Sequence, residues 1–447
     1  MRKELFPSKN IGGVISVPGD KSITHRAILL SVLSEGEITV KNYADNSDCR
    51  ASIKAVETLG VKVEIRGSEL TLIPPDTLSL EDGTVIDCGN SATTARLLSG
   101  IIAGSNLTAT IGGDESLSRR PMDRVISPLS QMGAEVFSED SHLPVRIVGK
   151  TLLPFQYDLP VPSAQVKSAI LLAGLASRCS VTVREKVVTR DHTERLLDDI
   201  GTGVDVHEVK PVMIADPVDP RKKRMKMPES FRKEISLPSQ AKILGGTVTV
   251  PGDISTAAFF MAAAAISKKT ITVENVGLNP TRTGILEHLK ACGCSVGIED
   301  RQVVSGEPRG TVKVTGVELR PRKISGDTIA SIIDEIPVIA IIAAFTEGTT
   351  IIRDASELRL KESNRLESVA ANLELMGIKC GLLEDGIVIE GGRDLSGADF
   401  KSFGDHRIAM AFSIASLFLV GPSSIDDASV VDISCPDFYK ILEQVAS

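Results

Sequence analysis

One arrangement of apolar and polar positions recurs along the whole chain. Short stretches in which apolar residues alternate with polar ones predict strands buried on one face, and Ala- and Leu-rich stretches of some twelve residues predict helices. GGVISVPGD at Gly12–Asp20 returns as GGTVTVPGD at Gly245–Asp253, and ITVKN at Ile38–Asn42 returns as ITVEN at Ile271–Asn275, so the second half duplicates the first. Each copy reads strand, Pro-Gly-Asp turn, helix, strand. A shorter unit lies beneath it: a helix end, a Gly, then a strand. It occurs as ETLGVKVEI (57–65), SQMGAEVF (130–137), LDDIGTGVDV (197–206), KACGCSVGI (290–298) and ELMGIKCGL (374–382). The glycine is the expected C-cap.

Five copies predict about six βα units, three per half, the last ending in helix 438–445 and completed by the N-terminal strand. Such units cannot bury a face alone, so the predicted class is α/β, with helices packed inside sheets in two pseudo-equivalent domains. Because the N-terminal strand matches the strand just after the boundary, one domain is expected to be discontinuous, residues 1–18 plus 244–447. The other is 19–243, with Gly19 and Gly252 as hinges of a closing cleft. The boundary region, Asp216–Gly246, holds DPVDPRKKRMKMPESFRKE. No aromatic residue interleaves RKKRMK, so a solvated loop is expected there rather than a nucleic-acid patch.

Composition sharpens this picture. A chain of 447 residues exceeds one ordinary core. A formal charge of -8, from 50 Lys and Arg against 58 Asp and Glu, and the absence of Trp argue against nucleic-acid and acidic-membrane partners, while leaving room for a local cationic pocket. No apolar run approaches the ~20 residues of a membrane helix; Ala257–Ile266 and Ile336–Phe345 are of core-helix length. MRKELFPSKN has no apolar stretch of the secretory kind, so a cytoplasmic protein is expected. The seven Cys are scattered, and Cys292-x-Cys294 suits neither a disulfide framework nor zinc, so no metal or cofactor is expected.

Candidate chemistry sits where polar groups interrupt apolar helices. Lys21 and Ser22 follow the first Pro-Gly-Asp turn and Arg26 comes one helical turn later, an arrangement suited to an anion at a helix N-terminus. The duplicate turn at Gly252-Asp253-Ile254-Ser255 keeps the fold without those charges, which favours this reading over an ordinary capped helix. Gly89-Asn90-Ser91 opens a small-residue helix, Arg119 and Arg120 precede Pro121, and Ser163 would cap a helix carrying Gln165 and Lys167. In TRDHTE (189–194), His192 has no second His at ligand spacing, so a hydrogen-bonded loop His is expected. Asp334-Glu335 stands at the mouth of an apolar helix, where burial would raise a carboxyl pKa toward general-base duty. Lys361 and Arg365 are spaced for one helix face beside Glu362, and Arg407 is expected to cap the entry to a wholly apolar, buried helix. Five candidate anion binders, Lys21, Arg26, Arg120, Arg365 and Arg407, with Asp334 and Glu362, fit two anionic substrates and proton transfer by carboxylates without metal.

In this order, PGDKSITHR, GNSATTARL, RRPM, SAQVKSA, IDEIP, LRLKESNRL and GDHRIAMA resemble the 5-enolpyruvylshikimate-3-phosphate synthase family over nearly the whole chain. The resemblance implies two inverse α/β-prism domains, each of three βαβαββ units. It implies transfer of the enolpyruvyl group of phosphoenolpyruvate to the 5-hydroxyl of shikimate 3-phosphate, with phosphate released through a tetrahedral intermediate. A monomer acting on these two small molecules is expected. At matching positions the resemblance assigns shikimate 3-phosphate to Lys21, Ser22, Arg26, Ser163, Ala164, Gln165, Arg190, Asp334 and Lys361. It assigns phosphoenolpyruvate to Lys21, Ala92, Arg120, Gln165, Arg365 and Arg407. Asp334 is the implied base and Glu362 the implied proton donor, with Lys21 as the third catalytic group.

Two positions depart from the pattern. Ala92 stands where many members have Gly, and Ile433 lies near where many have a Lys that contacts phosphoenolpyruvate. With RDHTE, GDKS, SAQVK and NPTR, Ala92 resembles the glyphosate-insensitive class. The UDP-N-acetylglucosamine enolpyruvyl transferases share the implied fold, but carry Lys-Asn where Lys21-Ser22 stands and a loop Cys absent around Arg120. A clamp-like acidic ring would account for the repeats but needs no buried carboxylates.

Overall fold

The computed structural model describes residues 1–210, 212–215, 223–226, 230–392 and 395–447. Among the described residues, its alternating stretches form five four-stranded sheets and one three-stranded sheet on a common plan, with a separate antiparallel pair of strands. In each four-stranded sheet a parallel pair is extended by two antiparallel strands. Val85–Asp87 runs parallel to Thr108–Gly112, which pairs antiparallel with Val145–Val148, and that strand with Glu135–Ser138. In the last sheet Asp399–Phe400 runs parallel to Ser423–Ile425, and an N-terminal strand closes it, but that strand is Lys3–Leu5 and not the repeated strand Gly13–Ser16, which joins Thr270–Gly277 instead.

Among the described residues, six helices fill the interior. We label them α1 (Lys21–Leu30), α2 (Ala92–Gly104), α3 (Ala164–Ser177), α4 (Ile254–Ser267), α5 (Ile336–Ala344) and α6 (His406–Ser416). Every residue of α5 and α6 is buried, which is why no polar stripe interrupts their apolar pattern. Small residues allow close approach: a Cβ added to Gly100 of α2 would lie 2.2 Å from the Ala169 carbonyl of α3. The five glycines of the short repeat, Gly60, Gly133, Gly201, Gly293 and Gly377, all have positive φ, as their C-cap role requires.

Two separate hydrophobic cores result. One gathers residues between Ile23 and Val250, around α1, α2 and α3. The other gathers Leu5–Val17 and Ile254–Val445, around α4, α5 and α6. The halves exchange strands: Gly13–Ser16 runs parallel to Thr270–Gly277, and Gly246–Thr249 parallel to Ile38–Lys41. The two connecting chains bridge at Gly19 and Gly252.

This pairing corrects the expected boundary at residue 244. Val248 and Val250 lie in the first core, so the strand that the repeat equates with Gly13–Ser16 crosses in the opposite direction. Nor is the boundary region all linker, because Lys233–Leu237 is an inner strand of a first-core sheet. Of the expected solvated loop RKKRMK, residues 221 and 222 lie outside the described residues. Lys223–Lys226 is instead a strand paired with Val212–Ala215.

Candidate active site

The six inner helices point their N-termini at one cavity of about 540 Å³, lined by residues from both cores. Side chains just before the helices hold their first amides. Asp20 accepts from Ile23 N, Ser91 from Thr94 N, Ser163 from Val166 N, Asp253 from Ser255 N and Thr256 N, and Asp405 from Arg407 N. Converging helix N-termini concentrate positive potential at the cavity. Among the described residues, ten Lys and Arg side chains line it against seven Asp and Glu, reversing the balance of the whole chain.

Every residue the resemblance assigns lines this cavity: Lys21, Ser22, Arg26, Ala92, Arg120, Ser163, Ala164, Gln165, Arg190, Asp334, Lys361, Glu362, Arg365 and Arg407. Three further candidates do not: Arg119 is exposed beside Glu115, Lys167 is buried against Glu185 and Glu194, and Glu335 is buried beside Arg282. Lys21 Nζ donates to Asp48 Oδ2 at 2.9 Å. Burial alone would depress this ammonium, but Asp48 and Glu362 raise it above its ordinary value, so it stays charged. Arg26 spreads its donors over Thr193 Oγ1 (2.7 Å), the Ser22 carbonyl (2.9 Å) and Ser168 Oγ (3.2 Å). Its desolvation, with Arg190 nearby, lowers its pKa to about 10, which leaves it cationic at neutral pH.

Asp334 is the centre of the cavity's charge. Arg190 is in direct contact with it, Arg365 Nη1 lies 3.3 Å away, Lys361 Nζ 3.5 Å and Arg407 Nη2 3.8 Å. Burial pushes the Asp334 carboxyl upward, as the sequence reading expected, but these four cations outweigh it and hold the group well below the usual carboxylate range. The expected rise is therefore overturned, and Asp334 is ionised at neutral pH. Glu362 behaves likewise: burial opposes, while Arg365, His406, Arg120 and Lys21 lower its pKa well below the ordinary value. Arg365 joins the acids, donating to Asp405 Oδ2 at 2.8 Å and Glu362 Oε2 at 2.6 Å.

Three further local expectations change. Lys361 and Arg365 do not share a helix face, because Lys361 ends a 3-10 turn over Ser356–Leu360 and the next helix starts at Arg365. They meet at Asp334 nonetheless. The cap of α6 is Asp405, whereas Arg407 turns inward and donates to the Asp334 backbone carbonyl at 3.1 Å. His192 is hydrogen-bonded as expected, but as the first residue of a helix, His192–Asp199.

Several cavity residues escaped the sequence reading. Arg96 donates to Gln165 Oε1 at 2.5 Å and to the Pro121 carbonyl at 3.0 Å, and burial with Arg120 and Arg124 nearby lowers its pKa to about 10. It was visible as the one charge in the helix ATTARLLSGIIAG. Asp48, the partner of Lys21, sits in the first turn of Ser47–Thr58 like any dipole-compensating acid, so nothing local marked it. Arg124 makes a two-pronged ion pair with Glu357 of the other core, at 2.9 and 2.8 Å, which no local pattern encodes.

Comparison with known proteins agrees with this geometry. The family model described as EPSP synthase (3-phosphoshikimate 1-carboxyvinyltransferase) matches residues 5–442. A 3-phosphoshikimate 1-carboxyvinyltransferase of Desulforamulus reducens is 43% identical, aligning 100% of this chain with 99% of the relative. One from Alkaliphilus metalliredigens is 41% identical, with 98% of each covered. Among solved structures, EPSP synthase from Acinetobacter baumannii superposes with a TM-score of 0.82 at 37% identity, covering 99% of this chain and 98% of that one. A family model, curated relatives and a solved structure all match the chain over nearly its full length, and the chain belongs to the EPSP synthase family.

Proposed function

We propose that this chain transfers the enolpyruvyl group of phosphoenolpyruvate to the 5-hydroxyl of shikimate 3-phosphate and releases phosphate. The observation that carries the reading is Asp334, a buried carboxylate kept ionised by four cations in a cavity faced by six helix N-termini. Two substrates bearing phosphates and carboxylates suit that excess of positive charge. Lys21, Ser22, Arg26, Ser163, Ala164, Gln165, Arg190 and Lys361 would hold shikimate 3-phosphate. Lys21, Ala92, Arg120, Gln165, Arg365 and Arg407 would hold phosphoenolpyruvate.

Asp334 would take the proton of the 5-hydroxyl as its oxygen bonds to C2 of phosphoenolpyruvate, while Glu362 gives a proton to the methylene carbon. Loss of a proton from that carbon with departure of phosphate then completes the enol ether. Arg120 and Arg365 also hold Glu362 ionised. Once they pair with phosphoenolpyruvate their pull on Glu362 weakens, its pKa rises, and it can carry the proton it donates. The two cores would act as hinged domains joined at Gly19 and Gly252, and since all these residues come from one chain, a monomer suffices.

Phosphate release measured with phosphoenolpyruvate and shikimate 3-phosphate, and again with UDP-N-acetylglucosamine as acceptor, tests the activity. Turnover with the first acceptor alone is expected; silence with it overturns the reading. We also assign the chain to the glyphosate-insensitive class, because the Ala92 methyl at the start of α2 narrows the cavity where an inhibitor longer than phosphoenolpyruvate must fit. Ala92→Gly should sharpen glyphosate inhibition and leave the KM for phosphoenolpyruvate nearly unchanged. Strong inhibition of the parent chain by micromolar glyphosate would refute this.

A further inference from the structure

The segment Thr189–Glu194 enters the proposed chemistry only at Arg190, yet its other members are all buried and each is tied to a different element. Thr189 Oγ1 donates to Glu185, and Glu194 pairs with Lys167 Nζ at 2.7 Å. The same wholly buried ammonium lies 3.0 Å from Glu185, so Lys167 secures both ends of the segment within the first core. Lys233 holds Asp191 from a neighbouring strand at 3.3 Å.

The middle of the segment is held from the second core. Asn279 Nδ2 donates to Asp191 Oδ1 at 2.7 Å and to Glu307 Oε2 at 3.0 Å, while Glu307 Oε1 lies 2.7 Å from His192 Nδ1. The turn before Glu307 presses on the same helix, since Arg195 Nη1 donates to the Gly306 carbonyl at 3.3 Å and a Cβ on Gly306 would lie 2.6 Å from the Arg195 carbonyl. Thr249 N donates to Ser305 Oγ at 2.9 Å, so this contact abuts the crossing at Gly252. Next to His192, Thr193 Oγ1 accepts from Arg26 Nε.

Arg190 and Thr193 therefore flank a joint between the cores. The second core, which carries Asp334, grips the two residues immediately after Arg190. A buried cluster of this kind is no cheaper than apolar packing, and its hydrogen bonds have one geometry, so its distinctive effect is registration of the parts it joins. We propose that His192, Asn279 and Glu307 are positioning residues that lock segment 189–194 to the second core, so that Arg190 and Arg26 converge on one anion, the phosphate of the acceptor substrate. The identity of that anion rests on the function proposed above.

Steady-state kinetics of the full chain test this. In His192→Leu the KM for shikimate 3-phosphate should rise about tenfold, the effect of misplacing one charge-assisted contact, with kcat and the KM for phosphoenolpyruvate changed by less than about threefold. His192→Asn, which keeps an N–H near the Nδ1 position, should recover most of the loss. Glu307→Gln, a milder change that keeps size and shape, should give an intermediate rise and serves if His192→Leu fails to fold. Ile389→Val, a core truncation far from the joint, should weaken folding without moving either KM. An unchanged shikimate 3-phosphate KM in His192→Leu and Glu307→Gln overturns the assignment. So does a parallel rise in both KM values without rescue by Asn, the signature of general loosening. Silence of the parent chain overturns instead the proposed function, and the assignment with it.

Discussion

Replacing Asp334 by Asn removes one negative charge and little else, so its consequences can be worked from the distances around it. Arg365 at 3.3 Å, Lys361 at 3.5 Å, Arg407 at 3.8 Å and Arg190 in direct contact all face the carboxylate. At an effective dielectric of ~20 each such pair carries about 4 kcal/mol of attraction, against which stand the cost of burial and the mutual repulsion of the cations. Lys361 is the most exposed of the four and counts for least. Breaking a buried cluster of this kind costs about 3–5 kcal/mol net, because the remaining charges stay buried without their partner. Folding of Asp334→Asn should therefore weaken, while anionic substrates meet cations freed from their internal competitor. In phosphate-release kinetics we expect kcat to fall by ~10²–10⁴, the usual worth of a general base, with no rise in either KM. In calorimetric melts the variant should unfold several degrees lower than the parent and regain more than the parent does when both substrates are added. A variant with undiminished kcat and a raised KM would assign Asp334 to binding and refute the base mechanism.

Gly100→Ala should displace α3, because its Cβ meets the Ala169 backbone at 2.2 Å and backbone cannot rotate away. Denaturant titrations should show a loss of about 1–3 kcal/mol, and KM should rise because Ser163, Ala164 and Gln165 ride on the displaced helix; unchanged stability would contradict the packing. Acid should destabilise the protein through two sets of groups. Asp334 and Glu362 are held below ordinary carboxylates, so their stabilisation is complete above the ordinary range and lost as pH falls through their lowered folded values. His288 is pushed by burial, with Arg322 nearby, from 6.5 down to about 4, so the unfolded chain takes up the proton first and stability falls from pH 6.5 downward. Its share is about 2 kcal/mol between pH 8 and pH 5, and unfolding of His288→Gln measured at both pH values should show a correspondingly smaller loss. An identical loss would discount the buried imidazole.

Much of the architecture was legible because it is local and repeated. The five glycines after helix ends, the capping Ser163, and the apolar runs of α4 and α5 each act within a few residues. The duplicated turn also let Asp253 serve as a comparison for Lys21 and Arg26. The partners were not legible. Asp48 looks like any first-turn acid until Lys21 is seen against it, and Arg124 meets Glu357 across 233 residues of chain. The direction of the Asp334 shift is not encoded locally for the same reason: burial follows from the flanking apolar helix, whereas the four cations come from distant segments.

The sequence by itself determined the six repeated units, their helix starts and stops, and the residues that gather at the helix N-termini. These depend on backbone conformation and on apolar periodicity, both written in neighbouring positions. Only the tertiary structure decided which core each exchanged strand joins, which carboxylate each cation neutralises, and that Asp334 and Glu362 stand ionised. Those outcomes depend on distances of 3.3–3.8 Å between segments far apart in the chain, and in a buried site such distances govern charge more strongly than residue type does.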